Sequence, residues 1–206
     1  MRSKIALIGA LCVVFAVGIG VLIEASADGG PLGIDSSWLH LMVEFRTDAG
    51  LWLARALNWV GGGWVGIFVV PLAAAAAFVL AQRRWAALYL LLASVVGALL
   101  VQGLKHLFDR ARPENMLVMS DHGSFPSGHV ANAAVLGVVI ALVLRRTWVT
   151  VLAACYVIAM AISRTYLTVH WLSDTVAGAL VGAGVALLLG ALLINRLGPP
   201  AHAAPE

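Results

Sequence analysis

The chain has 206 residues, of which 62% are hydrophobic and only 11% are charged, and its mean hydropathy is +0.97. A soluble domain carries roughly a quarter charged residues, so this composition leaves too little polar surface to cover a water-soluble globule. The net charge is +3. The positively charged residues form short clusters between apolar runs, which indicates membrane topology and not a nucleic-acid surface. We therefore expect one all-α integral membrane domain over residues 1–206, with the bilayer as its partner and no nucleic acid.

Six apolar stretches approach the roughly 20 residues that a membrane-spanning helix needs. They cover residues 5–23, 64–81, 85–104, 129–144, 148–162 and 174–194. The fourth and fifth are short, so we expect them to extend into flanking residues that face protein or water. The first also resembles a signal peptide, because Ala25-Ser26-Ala27 is similar to a cleavage site. Its length favours a retained anchor.

Residues 35–60 mix aromatic and aliphatic side chains with charged ones. This pattern predicts an amphipathic helical segment at the membrane interface, broken around residues 48–50. The glycines at 61–63 then predict a flexible turn into the second span. We expect residues 198–206 to form a flexible tail, and the seven tryptophans to form belts at the membrane edges: Trp38, Trp52, Trp59, Trp64, Trp85, Trp148 and Trp171.

The positive-inside rule predicts the orientation of the spans. With six spans, one end of the bundle holds Arg2, Lys4, Arg83, Arg84, Arg145, Arg146 and Arg196. Because two arginine pairs lie in very short loops, we expect this end and both termini to be cytoplasmic in a plasma membrane protein. The opposite, extracytoplasmic end holds Lys105, Arg110, Arg112 and Arg164. Cations are unusual on that side and indicate a functional site.

Three short segments at the extracytoplasmic end carry the polar side chains that suggest chemistry. The first runs from Lys105 to Arg112-Pro113, the second is Pro-Ser-Gly-His at 126–129, and the third holds Ser163-Arg164, His170 and Asp174. The spacing of His170 and Asp174 puts them on one face if both lie in a helix. A carboxylate there would fix the imidazole tautomer and leave the other ring nitrogen free to attack.

The remaining residues of these segments suit a phosphate ligand. Ser127-Gly128 at a predicted helix start offers backbone N–H groups to an anion, and His129 is placed to protonate a leaving oxygen. Lys105, Arg112 and Arg164 supply positive charge for phosphoryl oxygens. A turn over residues 165–169 is required to bring Arg164 and His170 together. No divalent metal or other cofactor is expected, because the carboxylates Asp109, Glu114 and Asp121 are scattered.

The order and spacing of these motifs resemble the type-two phosphatidic acid phosphatase family. That family shares its site with vanadium haloperoxidases and bacterial acid phosphatases. The resemblance covers 105–174, the motif-bearing core. It implies that His170 is a nucleophile, Asp174 its partner and His129 the general acid. It also implies that Lys105, Arg112, Ser127, Gly128 and Arg164 hold the phosphate without a metal.

The expected activity is hydrolysis of a lipid phosphate or diphosphate through a phosphohistidine. Undecaprenyl diphosphate, phosphatidylglycerol phosphate and phosphatidic acid are all candidate substrates, and an outward-facing site favours recycling of a carrier-lipid diphosphate. Two alternatives stay open: a non-enzymatic lipid-phosphate binding or transport protein, and vanadate-dependent haloperoxidase chemistry at the same site. Within the first motif, His106 and Arg110 are interpreted as rim residues. His122, which precedes the second motif, is interpreted as a solvated loop histidine.

Overall fold

The computed structural model describes residues 2–27 and 30–198, and all regular structure in these ranges is helical. The expected all-α class is therefore confirmed for this part of the chain. The predicted tail lies almost wholly in 199–206, outside the described residues. Eight α-helices follow in order: α1 Arg2–Ala27, α2 Gly33–Glu44, α3 Asp48–Gly61, α4 Val70–Leu80, α5 Arg84–Phe108, α6 Gly128–Leu144, α7 Thr147–Tyr166 and α8 Leu172–Leu193. A π-helical turn, Val65–Val69, precedes α4, and a 3₁₀ turn, Ile194–Arg196, follows α8.

Helix α8 lies at the centre and packs against α1, α5 and α6. Its glycines allow this close approach. A Cβ added at Gly178 would lie 2.5 Å from the carbonyl oxygen of Ser127, and one at Gly182 would lie 2.1 Å from that of Ala131. Because both obstacles are backbone atoms, larger side chains cannot be accommodated without moving α6 away from α8. These glycines therefore permit the close packing of α8 on α6.

Among the described residues, four helices are long and apolar enough to cross a membrane: α1, α5, α7 and α8 with its 3₁₀ extension. A fifth crossing results if α3 and the segment Val65–Leu80, which are bent by 52° at their junction, count as one broken span. The predicted fourth span, α6, has 17 residues and is only about 25 Å long, short of the roughly 30 Å hydrocarbon core. The protein is a multi-pass membrane protein, but the six-span count is not confirmed.

The predicted interfacial segment forms two helices, α2 and α3, and the break lies at residues 45–47, slightly earlier than expected. Thr47 caps α3, since its hydroxyl accepts a hydrogen bond from the backbone N–H of Gly50 at 3.1 Å. Helix α3 packs on α7, while Trp52 and Trp59 remain exposed. The segment therefore covers one side of the α7–α8 junction.

The arginines of the short loops and the three motifs lie at opposite ends of the bundle. Which end is cytoplasmic stays a prediction. Arg83 donates to the carbonyl of Val143 at 3.1 Å, and the Arg196 guanidinium lies 4.9 Å from the centre of the Trp85 ring. The contacts of two glycines show which end of α1 lies near the motifs. Gly9 lies against α8, and Gly20 approaches Phe108 at the motif-bearing end of α5.

Candidate active site

The three motifs predicted from sequence meet at one end of the bundle. Lys105 lies in the last turn of α5, Ser127 is the N-cap of α6, and Arg164 lies in the last turn of α7. Arg112 lies in the long loop between α5 and α6, and His170 lies in the short loop before α8. The expected turn between Arg164 and His170 is present, because α7 ends at Tyr166.

Hydrogen bonds between the motifs fix their mutual placement. The backbone N–H of Ser127 donates to the carbonyl of Asp174 at 3.0 Å, which joins the second motif to the third. The Nη1 atom of Arg112 donates to the carbonyl of Val169 at 2.6 Å, which joins the first to the third. Gly123, with a positive φ of 64°, turns its carbonyl so that Lys105 donates to it at 2.6 Å and Arg112 at 2.7 Å.

His170 is 2% exposed and lies between a carboxylate and a cation. Its Nδ1 is 3.5 Å from Oδ2 of Asp174, and its Nε2 is 3.4 Å from Nη1 of Arg112. Burial lowers the pKa of His170 well below the usual 6.5, and the nearby charges of Arg164, Arg112 and Lys105 lower it further. The imidazole is therefore held neutral, with Nε2 directed toward the cations.

His170 and Asp174 do not share a helical face, because only Asp174 lies in a helix. Helix α8 begins only at Leu172, so His170 precedes the helix. Asp174 is the third residue of α8, and its Oδ2 accepts the backbone N–H of Trp171 at 2.9 Å. The carboxylate therefore caps the helix start, and it is this capping geometry that brings it to the imidazole.

His129 lies in the first turn of α6, partly buried beneath the glycine-rich turn after α3. Its Nε2 is 3.3 Å from the backbone carbonyl of Asn58. A Cβ added at Gly62 would lie only 1.9 Å from that nitrogen, so any side chain there would displace the imidazole. His129 and His170 line the same cavity, which is the spatial relation that the sequence interpretation required.

Arg164 is fully buried, and its Nη1 donates to the side-chain oxygen of Asn58. Asn58 thus contacts both Arg164 and His129, a role that its position in the interfacial segment did not reveal. The Nε of Arg164 and the hydroxyl of Ser127 are buried without a hydrogen-bond partner among the described residues. Buried polar groups without partners are rare, and at a site they indicate a ligand.

Asp121, one of the carboxylates considered scattered, lies among the cations. Its Oδ1 is 2.8 Å from Nη2 of Arg112 and 3.3 Å from Nζ of Lys105. Partial burial opposes ionisation of Asp121, but Lys105 and Arg112 outweigh it and lower the pKa of this carboxyl. Groups of three or more potential metal ligands are absent among the described residues.

The prediction that Arg110 is a rim residue is wrong. Its side chain is 1% exposed and forms ion pairs with Asp174 and Asp35. Asp35 lies 70 residues before Lys105, the first residue of the first motif. Asp35 was also missed as a site residue. A charged residue inside an apolar chain was the available signal, but its partner could not be read from spacing. Trp171 is likewise buried and donates to the carbonyl of Ala111 at 2.9 Å, so it does not belong to a membrane-edge belt.

The cavity that His129 and His170 line has a volume of about 740 Å³. Its walls are mostly apolar and come from both sides of the gap between α4 and α5, including Ile67, Phe68, Leu72, Leu91, Val95 and Leu99. At their other ends the two helices pack directly, because Ala75 and Phe78 share a core cluster with Ala86 and Leu90. The space is therefore a cleft that widens toward the motif-bearing end.

A model of the PAP2 superfamily matches residues 85–196, more than half of the chain. The chain belongs to the PAP2 superfamily. Phosphatidylglycerophosphatase B of Bacillus subtilis (strain 168) is 31% identical to it over 143 residues, which are 64% of this chain and 70% of that protein. The resemblance stated from the motifs is thus confirmed, and the chain is a membrane lipid phosphatase of this superfamily.

Two solved structures share the fold of this PAP2 protein. A crystal structure described as the first transmembrane PAP2 type phosphatidylglycerolphosphate phosphatase, from Bacillus subtilis, has a TM-score of 0.80 and 22% identity, and covers 91% of this chain and 96% of that one. The structure of Aquifex aeolicus LpxE has a TM-score of 0.66 and 23% identity, and covers 77% of this chain and 95% of that one.

Proposed function

We propose that this PAP2 protein removes a terminal phosphate from a lipid at the extracytoplasmic face of the plasma membrane, through a phosphohistidine on His170. The whole chain acts as one domain. Nε2 of His170 attacks phosphorus while the bond from phosphorus to the lipid oxygen breaks, and His129 donates a proton to that oxygen. Water then attacks the phosphohistidine, returns a proton to His129 and releases inorganic phosphate.

Phosphate binding is assigned to Lys105, Arg112 and Arg164 together with the start of α6. Three cations in one buried site neutralise the phosphoryl oxygens, and this supplies most of the catalysis in phosphoryl transfer. Ser127 contributes its buried hydroxyl, which has no hydrogen-bond partner in the described part of the chain. Within residues 2–27 and 30–198, a Cβ at Gly128 would meet only Val101, at an ordinary 3.6 Å. Protein packing therefore does not require this glycine, whereas close approach of a phosphate to the backbone does.

The apolar cleft is the observation that supports a lipid substrate most directly. It reaches from the two histidines into the apolar part of the bundle between α4 and α5. A phosphate held at the histidines would leave its hydrocarbon chain in this cleft, where burial is favourable by about 0.8 kcal/mol for each CH₂. A small water-soluble phosphate ester would leave the cleft unfilled.

Phosphatidylglycerol phosphate is the first substrate to test, because the relative that is 31% identical is a phosphatidylglycerophosphatase. Undecaprenyl diphosphate and phosphatidic acid are the other two candidates. The protein purified in detergent should release phosphate from at least one of the three. A haloperoxidase would instead oxidise halide in the presence of vanadate.

The nucleophile is tested by comparing His170→Ala with His106→Ala. His106 is an exposed histidine at the end of α5, which stacks on His122 and lies outside the cation cluster. We expect His170→Ala to lose turnover and His106→Ala to keep it. An acid-labile phosphoryl label on wild-type protein, absent from His170→Ala, identifies the intermediate.

Full turnover by His170→Ala would refute the mechanism. Saturable lipid binding by wild-type protein, without turnover on any of the three lipids, would support the binding-protein alternative, because a binder needs the cations but not the two histidines.

A further inference from the structure

A buried ion-pair network adjoins Asp174 and is not used by the proposed mechanism. Arg110 lies at its centre. Its Nη1 donates to Oδ1 of Asp174 at 2.5 Å, and its Nη2 donates to Oδ2 of Asp35 at 2.8 Å. All three side chains are at most 1% exposed. One guanidinium therefore bridges two carboxylates that come from distant parts of the chain.

Ser173 provides a second link between Arg110 and Asp35. Its backbone N–H and its hydroxyl each donate to Asp35 at 2.8 Å, and the hydroxyl accepts from Nη1 of Arg110 at 2.7 Å. The backbone N–H of Leu32 also donates to Asp35, at 3.1 Å. Asp35 thus accepts hydrogen bonds from three residues. A buried ionic cluster of this kind is weak evidence for added stability, because the cost of desolvating the charges offsets much of their attraction.

The geometry of the network is aligned with His170. Oδ1 of Asp174 is held by Arg110, and Oδ2 is held by the backbone of Trp171 and lies 3.5 Å from Nδ1 of His170, a contact that lacks hydrogen-bond geometry. Both oxygens are therefore fixed, and with them the plane of the carboxylate. A free carboxylate at this position could rotate away from the imidazole.

The charge of the network also suits a reaction at His170. Asp35 and Asp174 with Arg110 carry a net charge of −1, which complements the positive charge on the imidazole ring once it is phosphorylated. Without Asp35, the guanidinium would cancel the charge of Asp174, and the intermediate would lose this stabilisation in a water-poor site.

We propose that Asp35 and Arg110 are positioning residues, which orient the Asp174 carboxylate and keep its negative charge available to His170. This inference rests on the proposed function, because it requires His170 to be the nucleophile. It assigns a role in the reaction to the first turn of α2, far from the three motifs in sequence.

The test is Asp35→Asn, which removes one charge and keeps the size of the side chain. We expect kcat to fall about tenfold or more, as when a residue that orients a metal-ligating histidine is replaced. KM and the inhibition constant of vanadate should stay within about twofold, because the phosphate-binding cations are unchanged. Arg110→Lys, which keeps the charge, should retain more activity than Arg110→Met.

Tyr89→Phe is the matched control for a purely structural effect. It removes another buried hydrogen bond, from the Tyr89 hydroxyl to the carbonyl of Ala186 at 2.5 Å, far from the motifs. Its Tm should fall while kcat stays at the wild-type value. A loss of kcat in Asp35→Asn no greater than in Tyr89→Phe would overturn the proposal.

A double-mutant cycle separates action through Asp174 from an independent effect. In an Asp174→Asn background, Asp35→Asn should lower kcat no further, whereas an equal loss in both backgrounds would overturn the proposal. If His170→Ala keeps full turnover, the proposed function itself fails. If His170→Ala is inactive but Asp35→Asn keeps the kcat of wild type, the positioning role is refuted while the proposed function stands.

Discussion

Asp121 occupies the place among the cations where a phosphate oxygen should bind, and its removal gives a quantitative prediction. Its carboxylate is 2.8 Å from Arg112 and 3.3 Å from Lys105, and its side chain is 54% exposed. Phosphate must displace this carboxylate to reach both cations. Asp121→Asn should therefore tighten substrate binding, because the amide competes less well for the guanidinium.

The magnitude follows from the exposure of Asp121. Although both cations are buried, the exposed carboxylate is screened by water, so each ion pair contributes about 0.2–1 kcal/mol, and the two together contribute about 1 kcal/mol. Removing this competition should lower KM and the inhibition constant of vanadate about fivefold. Raising the ionic strength should reduce the difference, because salt screens exposed charges.

The assay measures phosphate release from lipid in mixed micelles, with vanadate as a competitive inhibitor. Asp109→Asn is the matched control, since Asp109 lies in the same loop and is 67% exposed, but pairs with His122. It removes the same charge without freeing the cations, and we expect its KM to match wild type. A higher KM in Asp121→Asn would show that Asp121 assists substrate binding, and equal KM values in both variants would also refute the reasoning.

Two further predictions concern the histidines. Burial and nearby cations lower the pKa of His170 below 6.5, so its imidazole in the free enzyme should stay neutral as the pH falls through about 6.5, which nitrogen NMR of labelled histidine can follow. As the pH falls, His170 is protonated in the unfolded chain before it is protonated in the folded protein. The free energy of unfolding should therefore decrease below about pH 6.5. Half-protonation of His170 near pH 6.5 would contradict the assignment. Gly62→Ala should lower kcat at least about tenfold, because its Cβ would lie 1.9 Å from His129. Gly18→Ala should match wild type, because its Cβ would have no atom of the described residues within 4 Å.

Much of the fold and the site followed from local pattern. Long apolar runs predict helices in lipid, because every backbone polar group must be satisfied within its own segment. The three motifs predicted a phosphate site because each pairs residue types suited to phosphoryl transfer with short, fixed spacings. Helix limits were less predictable, since the break at 45–47 and the π-helical turn depend on packing against α7 and α6.

The charge partners inside the site were not predictable from pattern. Arg110 was interpreted as a rim residue and Asp121 as a scattered carboxylate, yet the first is buried between two carboxylates and the second lies against two cations. Asp35 and Arg110 are 75 residues apart, and no spacing rule connects them. Composition and motif spacing are properties of neighbouring residues in the chain, so they can be read from the amino-acid sequence. Burial and charge neutralisation act through space, so they exist only once α2, α8 and the loop after α5 have packed together.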